Sequence, residues 1–460
     1  MLVVLFLIGF TIVVILVGCF LSLGGWLGWM VVIWGCMVSV VGISLSVYSS
    51  VGVINCGFGE VFCYDEVSCS FVWLSVVVVS LSLLGNMSDM MHKNMEWGFL
   101  WLVVGLEVVL VLCFIVDSMI AFYIFFEGSL IPILFIICCW GYQPERLQAS
   151  KYIMLYMIVA SLPLLVYVMK LFSFCGSDSF AYLYCGGGDG LQVGFLEFLG
   201  MSVAFLVKSP VYGVHLWLPK AHAEAPVGGS MLLAGVLLKL GGYGLIRFGW
   251  FLCGFGGVVV DGMVCLCILG GVFASVMCCA QVDIKGLIAY SSIGHMSLVV
   301  GGLMCWSSWG LSGSVFLMLA HGLSSCGLFF LASNLSKLYS SRMLFVIRGG
   351  VGSLFGINFW LVAMCGFNAG MPLSLNFLSE VILYVALVKY SLVFSVFVGV
   401  LSFLSCLYSW FFYCGTQVGG YPFWAYSSSL GASGFFLESV VCLPITFFLV
   451  GLCFVLSCMT

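Results

Sequence analysis

Charge is what this sequence has least of. Asp, Glu, Lys and Arg together make up 7% of 460 residues, against about a quarter in an ordinary soluble protein, so its surface cannot face water. Basic runs are absent, and the formal net charge is only −4. That excludes nucleic acid as a partner and gives no hold on acidic ones. No glycine-rich phosphate loop stands between a strand and a helix; the run Gly186-Gly187-Gly188 sits in a loop without that context. Nucleophile elbows and CxxCH haem attachments are missing too. A redox cofactor or metal held by this chain is therefore not expected.

What fills the chain instead is apolar: 64% of residues, in long runs from Leu2 to Met459 with short polar interruptions. A hydrocarbon layer about 30 Å thick takes roughly 20 such residues per helical crossing, which predicts about 14 crossings. They fall near 2–22, 26–48, 71–86, 98–116, 118–139, 151–172, 197–219, 228–250, 256–279, 284–304, 311–334, 353–387, 390–414 and 436–457. Backbone groups in hydrocarbon need internal partners, and period-two alternation is absent, so the expected fold is an all-α polytopic membrane protein. The 23 cysteines lie mostly inside apolar runs, as in Cys138-Cys139 and Cys278-Cys279, and read as small packing residues. Plentiful Gly, Phe, Cys and Trp beside scarce Pro suit a G+T-rich coding strand of the kind found in mitochondrial genomes. The start Met1-Leu2-Val3-Val4 has no basic region or Arg-rich presequence, so insertion where the chain is made is expected.

Loops after odd-numbered crossings carry or flank Lys93, Arg146, Lys151, Lys220, Lys285, Lys337, Arg342 and Arg348. Loops after even-numbered ones hold most of the acids, including Glu60, Asp65, Asp178 and Asp261. The odd-exit loops then face the matrix, or the cytoplasm in a bacterium. A faint duplication is also visible. Crossing 7 carries Lys208-Ser209-Pro210 and is closed by Pro219, and crossing 12 carries Gly370-Met371-Pro372 and then Glu380. Five helices separate them, which suits two units of opposite topology with a transport site near the midplane; ordinary proline kinks are the alternative. The corresponding divisions are 1–97, 98–250 (crossings 4–8), 251–414 (crossings 9–13) and 415–460.

Ionisable side chains inside membrane spans cost about 2.5–3.5 kcal/mol on insertion scales and mark ion paths. Six positions qualify: Glu127 in crossing 5, Lys208 in 7, Lys239 in 8, His295 in 10, His321 in 11 and Glu380 in 12. Burial drives acids and bases toward neutrality, which lets them load and unload protons. Two unit charges about 8 Å apart interact by roughly 2 kcal/mol at an effective dielectric of about 20. Glu127 is expected to pair with Lys208 and to govern its proton. Static ion pairs, or packed histidines, are the bland alternatives. Arg247 is placed to snorkel and receives no role, Asp117 reads as interfacial, and Glu107 is intramembrane and unexplained. His215, His222 and Glu224 stand close together but lack a matching ligand group, so a metal site is disfavoured. The six read together as a proton relay.

Several stretches carry a family resemblance. They are Phe125-Phe126-Glu127-Gly128-Ser129-Leu130-Ile131-Pro132, Trp140-Gly141-Tyr142-Gln143-Pro144-Glu145-Arg146-Leu147, and the run from Lys208-Ser209-Pro210 through His215-Leu216-Trp217-Leu218-Pro219-Lys220-Ala221-His222. Leu238-Lys239-Leu240-Gly241-Gly242-Tyr243-Gly244, Asp283-Ile284-Lys285-Gly286-Leu287, Ala320-His321-Gly322-Leu323 and Pro372-Leu373-Ser374-Leu375-Asn376-Phe377-Leu378-Ser379-Glu380 belong with them. Over about 120–345 and 370–382 the chain resembles the chain 4 subunits of respiratory complex I, the proton-pumping NADH–ubiquinone oxidoreductase. The resemblance implies an antiporter-like fold of inverted five-helix repeats, with crossings 7 and 12 broken. It implies one proton channel, with Glu127 and Lys208 paired, Lys239 central, Glu380 toward the exit, and His295 and His321 on the connecting polar axis. It also implies other membrane-arm subunits, including neighbouring antiporter-like chains, and lipids as partners. NADH, FMN, iron–sulfur clusters and ubiquinone would be held elsewhere in the complex, and the location would be the mitochondrial inner membrane. Gly128 replaces a usually larger residue, and 173–196 is unusually glycine-rich, which bears on loop contacts. A subunit of a sodium/proton antiporter complex is the main alternative. A receptor or scaffold would have no use for such costly buried charges.

Overall fold

The structure, a computed structural model, describes residues 55–56, 63–90, 96–182, 194–253, 257–349 and 355–419, with positions 35, 442 and 446. Of the expected crossings, 1, 2 and 14 lie outside the described residues apart from those single positions. Crossings 3–13 are all helical. Among the described residues nine are unbroken and long and apolar enough to span a membrane. Crossings 3 and 4 are Glu66–Met90 and Glu96–Ile115. Crossing 5 is Met119–Trp140, crossing 6 Arg146–Cys175 and crossing 8 Val227–Arg247. Crossings 9, 10, 11 and 13 are Val258–Cys279, Ile284–Met304, Ser308–Leu338 and Phe394–Gln417. Crossing 7 is interrupted between Phe195–Lys208 and Trp217–Glu224, and crossing 12 between Phe355–Asn368 and Leu375–Tyr390. Outside the helices, Asn55–Cys56 pairs antiparallel with Cys63–Tyr64.

The two breaks have local causes. In crossing 7 the helix stops at Lys208, before Pro210, whose ring disfavours helical backbone at the residue ahead of it. Pro219 does not close this crossing, as its position suggested. It is the third residue of Trp217–Glu224, within the first turn, where a missing N–H leaves no helical bond unmade. In crossing 12 the chain turns at Gly370 (φ +74°) and Leu373 (φ +70°). Ser374 then accepts from the Phe377 N–H and caps the second helix. The severed end is not left bare: Asn376 Nδ2 donates to the Phe367 carbonyl at 2.7 Å, and Cys406 Sγ donates to the Ala369 carbonyl at 3.3 Å.

The chain forms two compact units, Met1–Lys208 with Glu224–Phe255 and Ser209–Ala223 with Gly256–Thr460. In the first, crossing 8 is almost wholly buried, whereas crossings 5 and 6 are buried over less than half of their length and keep an outward face. That outward face is apolar, with Leu155, Val159 and Val166 among its most exposed side chains, and is fit for lipid. The buried amide of Asn86 in crossing 3 accepts from the Gly228 N–H at 2.9 Å, satisfying a helix N-terminus inside the bundle. Gly244 lies so close to Phe205 that no methyl would fit, and crossings 7 and 8 pack tightly there. Where crossing 5 begins, Met119 N–H donates to the Asp178 carbonyl and Ile120 N–H to its carboxylate. Partial burial pushes the Asp178 carboxyl above its ordinary range, and those donors pull it part of the way back. In the second unit, crossing 10 is the almost wholly buried one.

Candidate functional site

Lys208 is the last residue of its helix and is almost wholly buried. Its Nζ donates to the Phe126 carbonyl at 2.5 Å and the Ser129 hydroxyl at 3.3 Å, and lies 3.3 Å from the centre of the Phe126 ring. Glu127 is half-buried, faces Ser161 of crossing 6 and stands within electrostatic reach of Lys208. The expected pair thus shares one cluster, but the ammonium bonds a carbonyl and a hydroxyl rather than the carboxylate. Helix geometry explains this. Successive residues are about 100° apart, so Phe126 and Ser129 turn inward while Glu127 points off to the side. Neutral oxygens hold the ammonium without cancelling its charge, and the carboxylate acts through space.

Lys239 is fully buried in crossing 8, just beyond a π-helical turn at Leu233–Leu237. Its Nζ donates to the Ala234 carbonyl five residues back. One wide turn inside an α-helix costs regular hydrogen bonding and is found mostly at functional positions. Four residues on, Tyr243 donates to the Phe114 carbonyl at 2.7 Å and accepts from Arg247 Nε at 2.7 Å. Arg247 also reaches Asp65 at 2.5 Å. This corrects the reading of Arg247 as a snorkelling side chain without a role. It is only 9% exposed, held by a phenol and a carboxylate at the end of its helix. Rings of Phe71, Phe114, Phe122, Phe205 and Phe248 pack around this part of the unit.

In the second unit His295, His321 and Glu380 converge. His295 Nε2 lies 3.1 Å from the Tyr408 hydroxyl, and its Nδ1 lies 3.6 Å from Glu380 Oε1. The His321 ring centre is 5.3 Å from that of His295. Glu380 Oε2 accepts from Tyr384 at 3.2 Å, one helical turn further along. All three predicted residues are buried, on crossings 10, 11 and 12. An imidazole with a phenol on one nitrogen and a carboxyl on the other can take a proton on one side and release it on the other. His215 and His222 turn to aromatic neighbours instead, stacking on Tyr212 at 4.7 Å and Phe329 at 4.5 Å. Among the described residues no group of three His, Cys, Asp or Glu is placed to hold a metal ion.

The neutral partners Ser129, Tyr243, Tyr384 and Tyr408 went unnoticed in the sequence. Serine and tyrosine are unremarkable within apolar runs, and only their pairing in space distinguishes them. Ser129 and Tyr243 lie within the Phe125–Pro132 and Leu238–Gly244 stretches of the family resemblance, which were the available signal.

Residues 116–405 match the family described as NADH:quinone oxidoreductase/Mrp antiporter, TM. The chain is 43% identical over 368 residues to an NADH-ubiquinone oxidoreductase chain 4 from Ceratitis capitata, covering 80% of this chain and 82% of that one. A chain 4 from Locusta migratoria is 40% identical, with 85% and 86% covered. In fold it is similar to a chain of the respiratory complex I from Thermus thermophilus with bound NADH. That match has a TM-score of 0.83 at 23% identity, with 96% of this chain and 95% of that one covered.

Proposed function

Because this chain belongs to the chain 4 family of NADH-ubiquinone oxidoreductase, we propose that Glu127, Lys208, Lys239, His295, His321 and Glu380 carry its proton pathway. The chain is a multi-pass, proton-translocating membrane subunit of complex I, and so part of an oxidoreductase. The observation that carries the residue assignment is the His295–Glu380 contact, a base and an acid 3.6 Å apart in the interior of a bundle meant for lipid. Such groups are costly there unless they work. Lys208 and Glu127 serve the same path in the first unit, with the carboxylate tuning the lysine's hold on its proton. Lys239 is the central store.

Similarity to chain 4 subunits supports the finer assignments as part of the same proposal. Electron transfer from NADH through FMN and iron–sulfur clusters to ubiquinone belongs to other subunits. The location is the mitochondrial inner membrane, and neighbouring antiporter-like subunits and lipids cover the outward faces. The inverted relation of crossings 4–8 and 9–13, with odd-exit loops facing the matrix, belongs to the same reading. A sodium/proton antiporter subunit is disfavoured by the extent of identity to chain 4 relatives.

The test uses the whole complex in sealed vesicles, with protons translocated per NADH oxidised as readout. Lys239→Ala and Glu380→Gln should each lower that ratio, while NADH oxidation with an artificial acceptor stays at the parent rate. Removing a proton-transfer group slows its step about 10²-fold or more. A parent-like ratio in both variants would sink the assignment.

A further inference from the structure

We propose that Tyr384 is a positioning residue for proton transfer at Glu380, holding the carboxyl so that its other oxygen faces His295. This rests on the reading that Glu380 carries protons. The two carboxyl oxygens are divided between two partners. Oε1 faces His295 Nδ1 at 3.6 Å, and Oε2 accepts from the Tyr384 hydroxyl at 3.2 Å. Glu380 and Tyr384 are four residues apart on Leu375–Tyr390, so they lie on one face and meet without help from a flexible loop. Ser402 of crossing 13 stands beside the phenol, its own hydroxyl donating to the Gly399 carbonyl at 2.9 Å. Gly370 closes the other side: a methyl there would lie 3.1 Å from Oε2. The carboxyl thus stands between the backbone of the helix break and one phenol, with little freedom to rotate.

Among the described residues the groups facing this carboxyl are few. Crossing 10 brings His295, with His321 of crossing 11 behind it. Crossing 13 brings Cys406 and Tyr408, the latter within reach of Cys278 of crossing 9. Crossing 12 itself brings Tyr384. In the transfer, the N–H bond at His295 Nδ1 breaks as an O–H bond forms at Glu380 Oε1. Imidazolium and carboxylate become imidazole and carboxylic acid, with no net charge moved out of the cluster. Tyr384 keeps its own proton throughout. Its donated bond keeps Oε1 turned toward the histidine. A 3.6 Å separation must shorten to about 2.6–3.2 Å for transfer, which a carboxyl already aimed does with little motion.

Replacing tyrosine by phenylalanine keeps the ring and removes only the donor. In the intact complex in sealed vesicles, Tyr384→Phe should lower protons per NADH at neutral pH. It should also displace the pH profile of pumping by about one unit, a tenfold change in proton affinity at the site. Uncoupled NADH oxidation should stay at the parent rate, and Glu380→Gln should abolish the pH-dependent component altogether. A parent-like profile in Tyr384→Phe beside impaired pumping in Glu380→Gln would overturn the role of Tyr384 and leave Glu380 standing. Parent-like pumping in Glu380→Gln would overturn both. Should Tyr384→Phe fail to assemble on a native gel, Tyr384→Met removes the donor with a flexible apolar side chain in place of the ring. It should shift the profile the same way, and an unmoved profile there would count against the proposal.

Discussion

Gly370 occupies a left-handed backbone conformation, and its bare Cα leaves room for a carboxyl oxygen. Alanine would meet two penalties at once: roughly 1–2 kcal/mol for the left-handed backbone and a close contact with Glu380 Oε2. Gly370→Ala is expected to lower the thermal stability of the assembled complex and to depress pumping by displacing the carboxyl, both measurable on one purified sample. Glu107 gives the contrast. Its carboxyl in crossing 4 is met by Ser75 Oγ at 3.2 Å, while its other oxygen has no hydrogen-bond partner among the described residues. It lies outside both polar clusters, so Glu107→Gln should leave protons per NADH unchanged; a fall would add a seventh member to the pathway. At this scale the sequence announced the ionisable groups because each is anomalous in an apolar run. It could not announce Tyr384 or Ser129, which are ordinary there until a charge is set beside them.

Among the elements, the end of crossing 8 is the place where charge, phenol and backbone are most tightly interlocked. Tyr243 satisfies the Phe114 carbonyl of crossing 4 and receives Arg247, which in turn holds Asp65 at the entry to crossing 3. The hydroxyl therefore joins crossings 4 and 8, and the guanidinium it holds reaches on to crossing 3. Tyr243→Phe leaves a buried carbonyl and a guanidinium N–H without that oxygen, a loss of about 1–3 kcal/mol. The expected outcome is a lower denaturation midpoint with an unchanged proton ratio, because the hydroxyl ties helices together and meets none of the six relay residues. Crossing positions were legible from hydropathy, since hydrocarbon leaves the backbone little choice but helix. The exact stops were not. Pro219 was read as an end and proved to lie in a first turn, because proline forbids a helix interior but not its opening. The π turn ahead of Lys239 had no sequence signal, being a matter of one residue's hydrogen bond.

For the whole molecule, the two units each contain an interrupted helix terminus, a nearly fully buried crossing and a polar cluster. Lys208, Glu127 and Lys239 belong to the first, and His295, His321 and Glu380 to the second. The stretches Lys208-Ser209-Pro210 and Gly370-Met371-Pro372, legible in the sequence, fall at the two helix breaks, because proline disfavours helix at and just before its own position. Which groups inside each cluster touch was beyond the sequence, since contact depends on rotation about each helix axis. If both clusters serve a single pathway, a proton lost at one cannot be recovered at the other. Lys239→Ala combined with Glu380→Gln should then lower protons per NADH no further than the more severe single variant, the non-additivity expected of residues acting as a unit. Losses that sum would mean that each cluster moves protons on its own account. Sealed vesicles of the parent, the two single variants and the double variant, run side by side at one pH, decide between these.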